Sequence, residues 1–135
     1  MLSLENLESE TKALGERVIA PITKSVDEDG RFPAEAYSAL RKEGFMGLLV
    51  PKEFGGLGGG DVHHAKVCWI LAGFDATTAL CYMMHNTATA MLAKFGGKVS
   101  GEILAKVAKG DIAIALAYSE SGSGTHFDLP DMTEQ

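Results

Sequence analysis

The stretch from Gly44 to Gly60, GFMGLLVPKEFGGLGGG, constrains the fold of this chain more than any other. Its first half is an apolar run from Phe45 to Val50, and Pro51 closes that run. Its second half is rich in glycine, a residue at which a positive φ carries no steric cost. The first half can therefore pack into a core and the second half can turn, so the stretch is predicted to connect two helical regions.

Apolar side chains recur at steps of three and four residues along most of the remaining chain, a pattern typical of amphipathic helices. The first run should end near Pro21, because proline breaks a helix interior, and the polar residues 27–30 are expected to form a break. Five helices are predicted, with capping residues, prolines or glycines near their ends: Leu4 to between Ala20 and Val26, Pro33 to just before Gly44, Asp61 to about Gly73, Asp75 to about Lys94, and a short fifth helix started by Ser100 and running from Ile103 to Ala108.

The fourth predicted helix is apolar on nearly every side, which places it in the middle of a bundle. Met83, Met84 and Met91 on this helix suit a pocket wall that adapts to a flexible ligand, and they equally suit core filling. The predicted fold class is therefore all-α, a helical bundle of about five helices.

The period of the pattern changes after Gly110. Large apolar residues then alternate with alanines, a period of two that is typical of a strand: Ile112, Ile114, Leu116 and Tyr118. The turn that follows, residues 119–125, is rich in hydroxyls and glycine, so it suits close contact with a phosphate or a flavin edge. The bundle is thus expected to end in one C-terminal strand segment.

The charge balance argues against several classes of partner. Twelve basic residues stand against eighteen acidic ones, a net charge of −6, and no basic cluster exceeds the pair Arg41 and Lys42. Nucleic acid is therefore not an expected partner. The N-terminus is acidic, unlike a signal peptide, and no apolar run approaches the ~20 residues that cross a bilayer. The chain is expected to be cytoplasmic, with no membrane partner.

Neither the cysteines nor the histidines form a metal-site pattern. Cys68 and Cys81 lie among apolar neighbours without a CxxC motif, and we expect both to be reduced. His63 and His64 are adjacent, so on a helix they point about 100° apart, and we expect them at the surface. His85 has no second ligand at helical spacing and is expected to be a core histidine with its hydrogen bonds satisfied. No metal site is predicted.

The order of residues in the central stretch resembles a known family. The run GLLVPKEFGGLG resembles the segment G-L-L-x-V-P-x-E-[YF]-G-G-L-G of the amino-terminal domain of acyl-CoA dehydrogenases. Further residues on both sides fall at the family's spacing: Ile19–Ile22, Asp27, Arg31–Pro33, His85, Phe95–Gly96 and Lys109–Asp111. The resemblance covers almost the whole chain, and it implies the same helical fold.

The end of the chain resembles the family segment that contacts FAD. The run LAYSESGSGT looks like the strand and loop x-x-x-T-E-P-x-A-G-S-D with which the family's middle β-domain begins. Ser121 and His126 depart from this pattern, where the family has a proline and an aspartate. The resemblance implies FAD as cofactor, with contacts along the flavin and near the pyrophosphate from Leu116, Tyr118, Ser119, Gly124 and Thr125.

The resemblance also implies an acyl-CoA substrate. In the family, side chains of the fourth helix line the far end of the acyl pocket, and Thr89 and Ala90 are the nearest matches by position. The family's catalytic glutamate belongs to a carboxy-terminal helical domain, so no catalytic residue is assigned in this chain. Residues 1–110 are expected to form the helical domain and residues 111–135 the start of a truncated β-domain.

The sequence is therefore expected to be an amino-terminal fragment of an FAD-dependent acyl-CoA dehydrogenase-like oxidoreductase of fatty acid metabolism, inactive alone. The departures at Ser121 and His126 leave open a flavin-dependent monooxygenase on the same fold. A third interpretation is a free-standing helical module that binds another protein. A lone strand with an apolar face does not stay exposed cheaply, so residues 111–118 are expected to be disordered, folded back on the bundle, or paired with the same strand of a second chain.

Overall fold

The computed structural model describes residues 1–97 and 100–117 of the 135-residue chain. Within these ranges the chain forms six α-helices, which confirms the predicted all-α bundle. A π-helical turn, Gly15–Ile19, follows the first helix, and 3-10 turns at Phe45–Gly47 and Lys52–Phe54 lie in the connector between the third and fourth helices. The helices are α1 Leu7–Leu14, α2 Thr23–Asp29, α3 Ala34–Lys42, α4 Asp61–Ala72, α5 Ala76–Phe95 and α6 Ser100–Ala108.

The first predicted helix is two helices in the structure. The π-helical turn carries α1 on to Ile19, and α2 begins at Thr23, just after Pro21, which has no N–H to continue a helical ladder. The prediction that residues 27–30 form a break was wrong, because residues 27–29 lie within α2 and only Gly30, at φ 59°, ends it. Their acidic side chains are solvated on the outer face of the helix, so they do not interrupt it.

Helix α5 occupies the middle of the bundle, as its apolar profile predicted. It packs against α3, α4 and α6. Its first turn is capped by Asp75, whose carboxylate Oδ2 accepts a hydrogen bond of 2.6 Å from the N–H of Thr78. Seven of its residues are buried: Thr78, Ala79, Tyr82, His85, Asn86, Ala88 and Thr89.

The apolar half of the connector between α3 and α4 packs into the core, as predicted. It begins just past α3 at Gly44, whose φ is 88°, and its apolar run then enters the bundle. Four of its side chains are fully buried: Phe45, Met46, Leu48 and Val50. The first three belong to the main core cluster with α1, α3, α4 and α5, whereas Val50 packs with Leu104 and Val107 of α6.

Residues 112–117, which we call the C-terminal segment, follow α6 as an irregular stretch that lies against the bundle. The predicted strand has no ladder partner among the residues that the structure describes, and Tyr118 lies outside them. The predicted two faces are nevertheless present: Ile112, Ile114 and Leu116 are half-buried and the three alanines between and after them are exposed. Of the three arrangements expected for this segment, the described residues show the one in which it folds back. Ile112 and Ile114 pack on the buried cluster of Val50, Leu104 and Val107, which we call the α6 core cluster.

Candidate functional site

The segment that leaves α6 is guided first by a side chain of α3. The Arg41 guanidinium donates two hydrogen bonds of 2.7 Å, from Nε to the carbonyl of Gly110 and from Nη2 to the carbonyl of Asp111. Gly110 has a φ of 75°, and a Cβ at this position would lie 2.6 Å from the carbonyl oxygen of Arg41. The backbones therefore touch at a point where only glycine fits, and the arginine side chain closes over that contact.

The same segment is held a second time by His85 of α5. The His85 ring is fully buried, its Nε2 lies 3.0 Å from the carbonyl oxygen of Met46, and its Nδ1 accepts a hydrogen bond of 3.2 Å from the N–H of Ile114. Thr89, one turn later, donates to the His85 carbonyl at 2.9 Å. One imidazole thus joins α5, the connector and the C-terminal segment, which confirms the expectation of a core histidine with satisfied hydrogen bonds.

A second buried side chain of α5 also holds the connector. The Tyr82 hydroxyl donates a hydrogen bond of 3.1 Å to the carbonyl of Phe45, and burial raises the pKa of this phenol well above its usual range. Tyr82 and His85 therefore fix two successive carbonyls of the turn at Phe45–Gly47, so the position of this turn relative to α5 is set by polar contacts inside an apolar core.

An apolar cavity of about 440 Å³ lies between α3, α5 and the C-terminal segment. Its polar groups are few, and two of them are kept protonated: burial raises the pKa of the Tyr37 phenol and of the Cys81 thiol. The cavity can therefore accept an uncharged hydrocarbon group without an opposing charge at its wall. Its lining residues are Phe32, Tyr37, Leu80, Cys81, Met84 and residues 113–115.

The side of α5 next to this cavity carries a row of mostly apolar residues, of which Leu80, Met83 and Met91 are exposed in the described part of the chain. Leu80 is 57% exposed and Met91 is 44% exposed, high values for such large side chains. We call the row the α5 stripe; it consists of Leu80, Met83, Met84, Thr87 and Met91, at the spacing of one helix face. The methionines noted in the sequence thus lie at the surface or at the cavity wall, and none of the three is fully buried.

The residues predicted to contact ligands fall in different places. Leu116 is half-buried in the C-terminal segment, whereas Tyr118, Ser119, Gly124 and Thr125 lie outside the described residues. Thr89 is fully buried, and neither it nor the half-buried Ala90 is among the residues that line the apolar cavity.

Of the cavity residues, only Met84 was predicted to line a pocket; Phe32, Tyr37, Leu80, Cys81 and residues 113–115 were not. The ring of Phe32 meets that of Tyr37 edge to face, with the ring centres 5.3 Å apart. The Arg-Phe-Pro motif before α3 was visible in the sequence, but its proximity to the middle of α5 depends on how α3 packs and could not be read from spacing.

The histidines of α4 lie between surface and core, which corrects the expectation that they are surface residues. Both are half-buried, and His63 Nδ1 accepts a hydrogen bond of 3.2 Å from the N–H of Gly60, the residue before the helix.

Across residues 1–97 and 100–117, no group of three or more His, Cys, Asp or Glu side chains could hold a metal ion. No helix in those ranges is long and apolar enough to cross a membrane.

Comparison with known proteins agrees with this helical arrangement. Residues 3–119 match the family domain described as the acyl-CoA dehydrogenase, N-terminal domain. The chain belongs to the acyl-CoA dehydrogenase family. The family resemblance of the central stretch is thereby confirmed over most of the chain.

Individual relatives give the extent of the similarity. The probable acyl-CoA dehydrogenase FadE25 of Mycobacterium tuberculosis is 32% identical over 122 residues, which cover 90% of this chain and 31% of that protein. The acryloyl-CoA reductase (NADH) of Anaerotignum propionicum is 28% identical over the same share of each chain. An uncharacterized protein of Haemophilus influenzae is 45% identical over 65 residues, 47% of this chain and 74% of that one. The chain thus spans about a third of the length of the named enzymes.

Proposed function

We propose that this chain forms the helical wall of an FAD-dependent acyl-CoA dehydrogenase, with the acyl group bound against α5 and the flavin against residues 112–117. The observation that carries the proposal is the apolar cavity, because it lies between those two elements and is walled by Leu80, Met84 and the alanine-rich segment. Family membership over residues 3–119 supports the same assignment.

The chemistry of the cavity suits the hydrocarbon part of an acyl-CoA thioester. Its wall is mostly carbon, the phenol of Tyr37 and the thiol of Cys81 are uncharged at neutral pH, and burial raises both pKa values further. Each methylene that leaves water for such a surface contributes about 0.8 kcal/mol. The methionine at the wall adapts its shape to a flexible chain without a polar cost.

The C-terminal segment suits an isoalloxazine ring. Ala113, Ala115 and Ala117 are small and exposed, so a flat ring can approach the main chain there closely. Their neighbours Ile112 and Ile114 pack on the α6 core cluster, which keeps this segment in place. FAD held on this alanine face would supply a hydride acceptor for an acyl-CoA thioester, and the residues of this chain would hold both molecules in place. The contacts from Tyr118, Ser119, Gly124 and Thr125 to the flavin and pyrophosphate are part of this proposal.

The test is a titration of the purified 135-residue chain with FAD, followed by flavin fluorescence, and with acyl-CoA thioesters, followed by calorimetry. We expect saturable binding of FAD that Ala115→Leu weakens at least tenfold, about 1.4 kcal/mol, because the larger side chain stands between the ring and the main chain. Ala72→Leu, an exposed alanine at the far end of α4, is the matched control and should leave the affinity unchanged.

Absence of binding by both FAD and acyl-CoA would contradict the proposal. Equal weakening by Ala115→Leu and by the α4 control would contradict the assignment of the flavin to the alanine face. We also propose that the chain is cytoplasmic and that it does not dehydrogenate acyl-CoA by itself, so turnover with an artificial electron acceptor should be absent.

Reduction of an unsaturated acyl-CoA is a second candidate reaction. It is favoured by the match to the acryloyl-CoA reductase (NADH) of Anaerotignum propionicum, which covers as much of this chain as FadE25 does. Both reactions require the same wall for the acyl group. Preferential binding of an enoyl-CoA over the saturated thioester of equal length would favour the reductase.

Self-association through residues 111–118 remains a prediction, and the α5 stripe offers a second surface for it. The α5 stripe presents Leu80, Met83 and Met91 to solvent, and covering such side chains is favourable. The mass of the chain in solution, measured in the same samples as the titration, decides whether a second copy covers it.

A further inference from the structure

His85 holds together three elements that are far apart in the sequence. It lies in the middle of α5, 39 residues after Met46 and 29 residues before Ile114, and its ring contacts the main chain of both. No other side chain links the connector to the C-terminal segment among the hydrogen bonds of the described residues. Within the described residues, one ring therefore supplies the polar contact between Ile114 and α5, beside the apolar packing of the isoleucine side chain.

The two contacts define the protonation state of that ring. The carbonyl of Met46 can only accept a hydrogen bond, so Nε2 of His85 must carry a hydrogen. The N–H of Ile114 can only donate, so Nδ1 must be bare. The ring is thus neutral in its Nε2–H form. Burial lowers the pKa of His85 and keeps this form populated at neutral pH.

We infer that His85 is a proton-sensitive positioning residue: its bare Nδ1 fixes Ile114 against α5, and protonation of Nδ1 releases residues 112–117 from the bundle. A proton on Nδ1 would face the N–H of Ile114, donor against donor, whereas the contact from Nε2 to Met46 would survive. The change therefore acts on one side of the ring, and the connector stays in place.

The release has a defined hinge. Arg41 binds the carbonyls of Gly110 and Asp111, and neither bond involves His85. The start of the segment therefore stays attached to α3 while the part beyond Asp111 is freed. That part lines the apolar cavity with residues 113–115, so its release opens one wall of the cavity.

Nearby titratable groups do not supply the same response. Residues 112–117 and the 45–47 turn carry no titratable side chain. Asp111, just before the segment, is exposed, and so are Glu102 and Lys106 of α6. His64 of α4 is half-buried and burial also lowers its pKa, so it needs a control. The remaining titratable side chains on α5 and on the helices packed around it are Glu35, Tyr37, Arg41 and Lys42 on α3, Asp61, His63, Lys66 and Cys68 on α4, and Cys81, Tyr82 and Lys94 on α5 itself.

The sign of the pH dependence follows from proton linkage. In the released state His85 meets water and titrates near its ordinary pKa of about 6.5, whereas in the closed state its pKa is lowered. The released state therefore binds more protons, and acid favours it. Below about pH 6.5 the ratio of closed to released protein should fall by up to tenfold for each unit of pH. The fall ends when the pH reaches the lowered pKa of His85 in the closed state.

The experiment is amide hydrogen exchange of the 135-residue chain by NMR between about pH 7.5 and about pH 5.5, expressed as protection relative to the intrinsic rate at each pH. We expect the protection of the Ile114 amide to fall about tenfold over this range. The Gly59 amide, which donates to the carbonyl of Leu48 in the connector at 2.8 Å, is the internal control and should keep its protection. Long-range ¹⁵N correlations of the His85 ring report its tautomer independently.

Two matched variants separate the role of His85 from general stability. His85→Asn places an amide oxygen near the position of Nδ1, so it can still accept from Ile114 but cannot titrate. Protection at Ile114 should then be retained and independent of pH. His64→Asn removes the other half-buried histidine and should leave the pH response at Ile114 intact.

Two results would overturn the inference: a parallel fall in protection at Gly59 and Ile114, or a pH response at Ile114 that persists in His85→Asn. Neither measurement uses FAD or acyl-CoA. The inference can therefore fail while the proposed function holds, and the reverse is equally possible.

Discussion

Two non-helical stretches cross this bundle, and they are held in opposite ways. The connector of residues 44–60 folds onto itself through main-chain hydrogen bonds of 2.8 to 3.0 Å, from the N–H groups of residues 57–59 to the carbonyls of Gly47, Leu48 and Val50. Residues 112–117 have no such main-chain partner within the described residues; their polar contacts come from the side chains of Arg41, at the start of the segment, and His85, and Ile112 and Ile114 pack on the α6 core cluster.

The difference shows which residues determine the conformation of each stretch. The connector pairs much of its own main chain, and only the carbonyls of Phe45 and Met46 are bound by side chains of α5, so most of its shape follows from its own prolines, glycines and apolar residues. The C-terminal segment takes its hydrogen bonds from α3 and α5, so its shape exists only after the bundle has formed. A segment of the second kind can be released by a change in one side chain, whereas the connector cannot.

The largest expected effect on stability comes from a substitution in the connector. A Cβ on Gly56 would overlap the carbonyl oxygen and the Cβ of Val50, atoms that belong to the core and cannot move aside cheaply. We expect Gly56→Ala to lower the free energy of unfolding by about 3 kcal/mol, measured by urea denaturation. The whole bundle should be affected, because Val50 is fully buried beneath the loop.

The control for this variant is Gly60→Ala, four residues later. Gly60 has an extended backbone with φ −118°, and a Cβ there would meet nothing within 4 Å. Its substitution should change the free energy of unfolding by less than about 1 kcal/mol. Equal losses in the two alanine variants would show that the loop is sensitive to any added side chain and that the contact with Val50 is not the cause.

The sequence predicted the self-contained parts of the molecule well. The packing and turning halves of the connector, the Asp75 cap and the central place of α5 all depend on residues close together in the chain. Periodicity and glycine placement report such local preferences directly. The family resemblance, confirmed over residues 3–119, agreed with them.

The parts that sequence could not predict depend on contacts between distant residues. The helix at Thr23–Asp29 was missed because the solvation of its acidic face outweighs the break that those residues suggested. The period of two after Gly110 predicted two faces but not what they contact, and the structure supplies α6 rather than a sheet. The apolar cavity required the packing of α3 against α5, which no spacing reveals.

A middle-sized effect is expected where the C-terminal segment begins. Gly110→Ala forces a side chain into the left-handed region, at φ 75°, and also against the carbonyl oxygen of Arg41 at 2.6 Å. We expect a loss of about 2 kcal/mol in the free energy of unfolding. Gly30→Ala isolates the backbone part of this cost, because Gly30 has φ 59° and open space around its Cβ; about 1 kcal/mol is expected there. A Gly110 variant no worse than the Gly30 variant would mean that the close approach to α3 is not important for stability.

The smallest expected effect concerns the Arg41 side chain. Arg41→Met keeps most of the aliphatic stem but removes the two hydrogen bonds to the carbonyls of Gly110 and Asp111. Because the residue is half-buried and water can replace part of what is lost, we expect about 1 kcal/mol in urea denaturation. The same substitution at the neighbouring, exposed Lys42 should stay within about 0.5 kcal/mol of the parent.

The Arg41 variant also separates the two side chains that hold the segment. If Arg41 supplies the hinge and His85 the release, Arg41→Met should lower the protection of the Asp111 amide, which donates to the carbonyl of Lys106 at 2.9 Å, at every pH. The dependence of Ile114 on pH should remain, because His85 still titrates. Loss of that dependence in Arg41→Met would mean that the two contacts form and break together, and that the segment moves from Gly110 onward as one unit.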